Sequence, residues 1–266
     1  MVKKILLFVL VLVFTATGVF AAASSVKPKS PIKTKIIEVQ TKDNFVIKAK
    51  LLYPKGKQKN FPTIIMLHSL GYSSSSWGSL PETFAKQGYG VIAIDLRGHG
   101  LSNKDIKFRM KSWMYMSNKS FAKYPYDVLA VVNYVKQTSK KFSFNNYAII
   151  GGDIGANTGV IYAQMINPKP HAMVLLTPYQ NLKGLNIYDY RLGTTPLLVM
   201  CSKRDKYAVC QEVMLKTFSK GQFIINNTNS TTNGMLILKQ DAQCRAKAIQ
   251  FINQKLPPKK IVIQHQ

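Results

Sequence analysis

The stretch YAIIGGDIGANTGVIYAQMI, residues 147–166, decides how this chain folds. It opens as a short apolar run, Tyr147 to Ile150, of the kind that forms a buried strand. It closes as a helical pattern from Ala156 to Ile166, and only Gly151-Gly152-Asp153-Ile154-Gly155 separates the two. A strand passing into a helix through so few residues must make a sharp turn at which the two elements almost touch. The small residues on either side of the tip allow that approach, and the residue at the tip is Asp153.

Outward from this turn, apolar runs alternate with helical patterns. PTIIMLHS (62–69), GVIAIDLR (90–97), AMVLLTP (172–178), PLLVMCS (196–202) and QFIIN (222–226) read as buried strands. Helices are expected at about 77–87, 126–138, 154–166, 208–218 and 241–255. This is the βαβ rhythm of a mostly parallel, twisted α/β sheet with helices on both faces. The beginning differs, because IIEVQ and FVIKAKLLY alternate with period two around a turn at Thr41 to Asn44, so an antiparallel hairpin starts the sheet. There is no internal repeat, and one domain is expected over 35–256. The stretch 101–125, rich in Lys, Met and aromatic residues, has no clear period, and a connection that long is usually functional or mobile.

The chain has 266 residues, 46% of them hydrophobic, enough to bury a full core and to exclude disordered and fibrous classes. Its 37 Lys and Arg against 11 Asp and Glu leave a net charge of +26. Most of the cations are Lys spread along the chain, without a nucleic-acid-binding signature, so no specific nucleic-acid partner is implied. The charge reads as a solvated basic surface or as attraction to an anionic envelope surface. Residues 1–23 combine Lys3 and Lys4, an apolar run from Ile5 to Phe20 and the small residues Ala21 to Ala23, which is the pattern of a cleavable signal peptide. A secreted or periplasmic protein is therefore expected, with a polar leader at 24–34 and a basic tail at 257–266. Of the three cysteines, Cys201 and Cys210 could bridge, or all three, including Cys244, could be small buried hydrophobes.

The order of landmarks resembles the α/β-hydrolase family, in particular cap-less bacterial esterases and serine aminopeptidases. His68-Ser69-Leu70-Gly71 looks like the family's oxyanion loop, and Asp95-Leu96-Arg97-Gly98-His99-Gly100-Leu101-Ser102 matches its D-x-R-G-H-G-x-S turn. On that resemblance Gly151 to Gly155 is the nucleophile elbow, with Asp153 where a serine hydrolase has Ser. Asp205 takes the acid position, and Asn233, before Gly234, stands where the catalytic His is expected. The resemblance further implies an oxyanion hole from the backbone N–H groups of Leu70 and Ile154, and supporting roles for His68, Gly151, Gly155, Asp95 and His99.

Two of the three triad positions are thus substituted. Asp153 has no hydroxyl to activate, and Asn233 has no basic nitrogen. A carboxylate nucleophile occurs on this fold in haloalkane dehalogenases and epoxide hydrolases, but those enzymes use a His to activate water and carry a cap, for which residues 179–195 are too short. His68 and His99 read as orienting residues, and His171 falls at the opposite edge of the sheet. The Asp153 carboxylate is placed to occupy or crowd the oxyanion hole, helped by the helix dipole. With Asp205 it makes a weak metal site, so no metal and no cofactor is implied. Two readings stand: a degenerate hydrolase that binds a small-molecule or acyl-type ligand or a partner without catalysis, and an ester or amide hydrolase with an atypical Asp153 nucleophile.

Overall fold

The computed structural model describes residues 30–188, 190–202, 223–228 and 232–261, the side chains of 223–228 excepted. The expected signal peptide and most of the leader, the helix expected at 208–218, Cys210 and Asp205 lie outside these residues.

The hairpin forms as its alternation predicts: β1 (Ile32–Gln40) runs antiparallel to β2 (Phe45–Pro54), with Ile37 opposite Ala49 and Val39 opposite Ile47. Five further strands follow in the parallel part of the sheet. They are β3 (Phe61–Leu67), β4 (Gly90–Ile94), β6 (Phe142–Gly152), β7 (Ala172–Leu176) and β10 (Leu197–Ser202), with β11 (Phe223–Thr228) at the far edge. The short β5 (Lys104–Asp105) pairs with β2 off the main path, and β8 (Asn181–Leu182) and β9 (Leu185–Asn186) form a separate ribbon. The order across the sheet is β1-β2-β4-β3-β6-β7-β10-β11. Strand β4 meets β2 antiparallel and β3 parallel, and every pairing beyond it is parallel.

Because side chains alternate across a strand, each central strand feeds two cores. Ile65 and Leu67 of β3 join the layer under α3 (Tyr124–Thr138) and α4 (Ile154–Met165). Ile64 and Met66 join the layer under α1 (Leu80–Gln87) and α6 (Ala242–Lys255). Two short helices, α2 (Asn118–Phe121) and α5 (Leu236–Gln240), complete the described chain. Cys201 and Cys244 are buried.

Helix α1 starts later than its expected boundary, because Ser74–Trp77 form a separate 3-10 turn. Helix α3 starts earlier, since Pro125 is accommodated in its first turn. The connection from β7 to β10 holds only the β8–β9 ribbon among its described residues, and no cap domain. The aperiodic stretch 101–125 is built of β5, a 3-10 turn at Trp113–Tyr115 and α2.

Candidate active site

The site lies at the C-terminal ends of the parallel strands, where β3 passes into 68–71, β6 into Asp153 and β7 into Thr177. Asp153 caps α4 with φ 32° and ψ −102°, a strained backbone for a non-glycine residue. Its N–H donates to Leu176 O at 2.8 Å, which fixes the turn against β7. The glycines do the work expected of them: a Cβ on Gly155 would stand 2.2 Å from Leu67 O, and one on Gly151 2.5 Å from Gly155 O.

The Asp153 side chain folds back onto its own helix terminus. Oδ1 accepts from Leu70 N–H at 2.8 Å and, in a shorter bond, from Ile154 N–H. These are the two donors expected to bind a substrate oxyanion, and the carboxylate of the same chain takes both. Ser69 adds a further hydrogen bond to that carboxylate. The Ser69 hydroxyl oxygen also accepts from Met235 N–H at 2.9 Å, and Gly234 N–H donates to Thr177 Oγ1 at 3.0 Å. Segment 233–235 therefore closes over the Asp153 carboxyl: a Cβ on Gly234 would stand 2.9 Å from Oδ2 and 2.3 Å from Ser69 Oγ. Asn233 itself is exposed.

Burial pushes the Asp153 carboxyl up to about 6, against the pull of the Leu70, Ile154 and Ser69 hydrogen bonds. A folded-state value raised above about 3.8 means that the stability linked to this group is complete below that pH and is lost as pH rises through about 6. Asp153→Asn keeps an acceptor oxygen for both N–H groups and carries no charge. The variant is therefore expected to gain on the wild type by about 1–3 kcal/mol between roughly pH 4 and pH 7. Urea midpoints of the two proteins across that range would measure it; parallel curves would mean that Asp153 does not titrate in the fold.

The histidines that could serve as a base are engaged elsewhere. His68 Nδ1 donates to Ser69 O at 2.8 Å and its Nε2 accepts from Leu96 N–H at 2.9 Å, which fixes the neutral tautomer. His99 Nδ1 donates to Arg97 O at 3.2 Å and its Nε2 accepts from Gly71 N–H at 3.1 Å. Burial lowers both imidazoles to about 4, helped at His99 by the His68 ring. Each ring has its acceptor nitrogen occupied, so neither can take a proton without breaking a backbone hydrogen bond. His171 is exposed at the start of β7, the end of the sheet away from Asp153.

The D-x-R-G-H-G-x-S turn is a fully bonded scaffold. Asp95 accepts from Ser74 N–H at 2.6 Å and Leu101 N–H at 2.9 Å, and Ser102 Oγ accepts from Lys48 N–H at 2.8 Å. Arg97 forks onto Asp127 at 2.6 and 2.8 Å, reaches Asp43 at 2.6 and 3.0 Å, and lies over the Phe45 ring. Asp127 and Asp43 are not visible as partners in the sequence, because they lie 30 and 54 residues from Arg97. Two more residues escaped sequence reasoning. Trp113 stacks flat on His99 at 5.4 Å and leans over Gly71. Asn157 ties α4 to the segment after β7 through bonds to Tyr179 and Leu185. A cleft of about 270 Å³ opens beside this arrangement, lined by Gly71, Tyr72, His99, Met110 and Trp113 among others.

Residues 62–199 match the family model for the α/β hydrolase fold. The chain belongs to the α/β-hydrolase family. A Schizosaccharomyces pombe protein described as a probable lipase is 27% identical over 130 residues, 44% of this chain and 28% of that protein. An uncharacterised Mycobacterium tuberculosis protein is 24% identical over 136 residues, 51% of this chain and 34% of its own length. The chain thus aligns with about a third of each of these relatives. Among solved structures, an acetyl xylan esterase from Paenibacillus sp. R4 superposes with a TM-score of 0.65 at 14% identity, covering 86% of both chains, a likeness of fold alone. The described residues hold no group of His, Cys, Asp and Glu that could bind a metal ion.

Proposed function

We propose that this α/β-hydrolase-fold protein is a degenerate hydrolase that binds a small acyl-type ligand or a partner and does not turn esters over. The observation that carries the reading is the double acceptance by Asp153 Oδ1 of the Leu70 and Ile154 N–H groups. An oxyanion needs those donors empty at the moment its charge develops, and here a resident charge fills them. The names of the S. pombe relative, a probable lipase, and of the Paenibacillus acetyl xylan esterase suggest an acyl-type occupant, which the cleft beside Trp113 would take at least in part. Export through residues 1–23 belongs to the same proposal.

One observation favours the rival reading, an Asp153 nucleophile: Oδ1 is anchored, so Oδ2 would be the attacking atom. Against it, Ser69 and Gly234 crowd the carboxyl, and transfer of an acyl group to a carboxylate gives an anhydride that still needs activated water. The experiment is a panel of short-chain and medium-chain nitrophenyl esters. Wild type and Asp153→Ala are expected to match the buffer rate, while turnover gained by Asp153→Ser/Asn233→His would show that the pocket still admits an acyl group. Wild-type turnover abolished by Asp153→Ala would establish the nucleophile and overturn the proposal.

A further inference from the structure

The connection between Leu101 and Pro125 begins with a hairpin that acyl transfer at Asp153 does not use, and of its residues only Met110, at the end, also lines the cleft beside Trp113. Lys104 and Asp105 pair with Val46 and Phe45, Lys104 bridges to Met110, and the segment between them forms a tight, solvent-facing turn. Asp105 builds that turn. Its Oδ1 accepts from Lys107 N–H at 2.9 Å and Arg109 N–H at 3.0 Å, its Oδ2 accepts from Arg109 Nε at 2.7 Å, and its carbonyl accepts from Phe108 N–H at 2.9 Å.

The turn holds Phe108 at φ 58°, in the left-handed region that a bulky residue seldom occupies, with 80% of its surface exposed. Glycine or asparagine would remove the strain, and any polar residue would remove the exposed apolar surface. Leu101, Ile106 and Met110 are exposed beside it, and together these four line an open cleft of about 610 Å³. The surroundings are cationic. Lys104 and Lys107 are exposed in the same turn and Lys111, half-buried, follows it, whereas Asp105 is bonded to Arg109 and Glu38 to Lys48.

We propose that the hairpin from Lys104 to Met110 docks on an anionic lipid bilayer. Ile106, Phe108 and Met110 enter the boundary between headgroups and acyl chains, and Lys104, Lys107 and Lys111 face the acidic headgroups. An apolar tip with a cationic collar is the composition that interfacial binding uses, apolar burial adding to attraction by anionic lipid. Charge complementarity selects this occupant over a second copy of the chain, which would bring the same cations and its own +26 to the contact. The inference is independent of the Asp153 reading, and Asp153→Ala is expected to dock as wild type does.

The test uses the full chain with vesicles of phosphatidylcholine alone or mixed equally with phosphatidylglycerol, with and without brominated acyl chains. Phe108→Trp supplies a local probe, its emission read as the difference from wild type. That emission is expected to shift to the blue and to be quenched by the brominated lipid in the anionic vesicles, and to stay unchanged with phosphatidylcholine alone. Phe108→Ser, with an unchanged melting curve, is expected to weaken partitioning roughly tenfold or more. Equal sedimentation of wild type and Phe108→Ser together with an unquenched probe would overturn the proposal, because another part of the chain would then hold the vesicle. A blue shift that follows protein concentration without lipid would overturn it in favour of self-association.

Discussion

Arg97→Met is expected to lower folding stability by about 3–5 kcal/mol, the usual cost of removing one partner of a buried ion pair. Arg97 is buried and satisfies two carboxylates at once, and Asp127, 1% exposed, has no route to water when the guanidinium is gone. Burial already pushes the Asp127 carboxyl up to about 6 despite the two bonds from Arg97, so little of its desolvation is left to spare. Asp43 is in the opposite position. Its bonds to Arg97 hold it well below the usual carboxylate range, and partial exposure together with Lys123 would keep it solvated in the variant. Two companions sharpen the expectation. Arg97→Lys should recover little, because a single ammonium cannot fork onto both Asp127 oxygens. Arg97→Met/Asp127→Leu should recover most of the loss, because the stranded charge is gone. Urea unfolding of the three variants decides it; a double variant as unstable as the single one would show that the network holds the fold by something other than paired charge.

The second large effect is expected at Gly155, where helix α4 crosses the end of β3. A methyl group there would meet the Leu67 and His68 carbonyl oxygens at 2.2 and 2.6 Å; both are backbone atoms, and Leu67 is paired in the sheet. The helix must back away, and its first turn carries Asp153 and Ile154 with it. Gly155→Ala should therefore cost about 3 kcal/mol, the upper part of the overpacking range. For a domain of this size that lowers the melting temperature by about 10 °C. Gly159→Ala, one turn further along, is the control. The nearest atom there is the tip of the Ile149 side chain at 2.9 Å, which can turn aside, so a smaller loss is expected. Calorimetry on both variants would measure the difference, and equal losses would mean that the strand end yields as readily as a side chain.

The sheet was legible in the sequence because its signals are local. Period two exposed the β1–β2 hairpin, continuous apolar runs exposed the parallel strands, and the glycines around Asp153 marked the turn. The turn from Gly151 to Gly155 was legible for the same reason, from where a strand ends and a helix begins, whereas Leu70 and Ile154 were reached only through the family resemblance. What stayed hidden depends on contacts between distant segments. The pairing of Arg97 with Asp43 and Asp127, the stacking of Trp113 on His99 and the meeting of Ser69 with Met235 leave no periodic trace. Nor could the alphabet alone tell that Phe108 would be held outward, because an aromatic residue in a connection is ordinarily read as one that turns inward. Asp205 falls outside the described residues, so the acid position rests on the resemblance alone.

Among the described strands β1 forms one border of the sheet, and a border strand can offer backbone groups to another chain that aligns with it. Along that border Lys33, Lys35 and Glu38 are exposed, with Ile36 an exposed apolar residue among them. Two copies joining edge to edge would have to press these charges together within a spacing of about 5 Å between strands. The lysines thus act as gatekeepers against fibre-like stacking, at the place where an otherwise regular hairpin invites it.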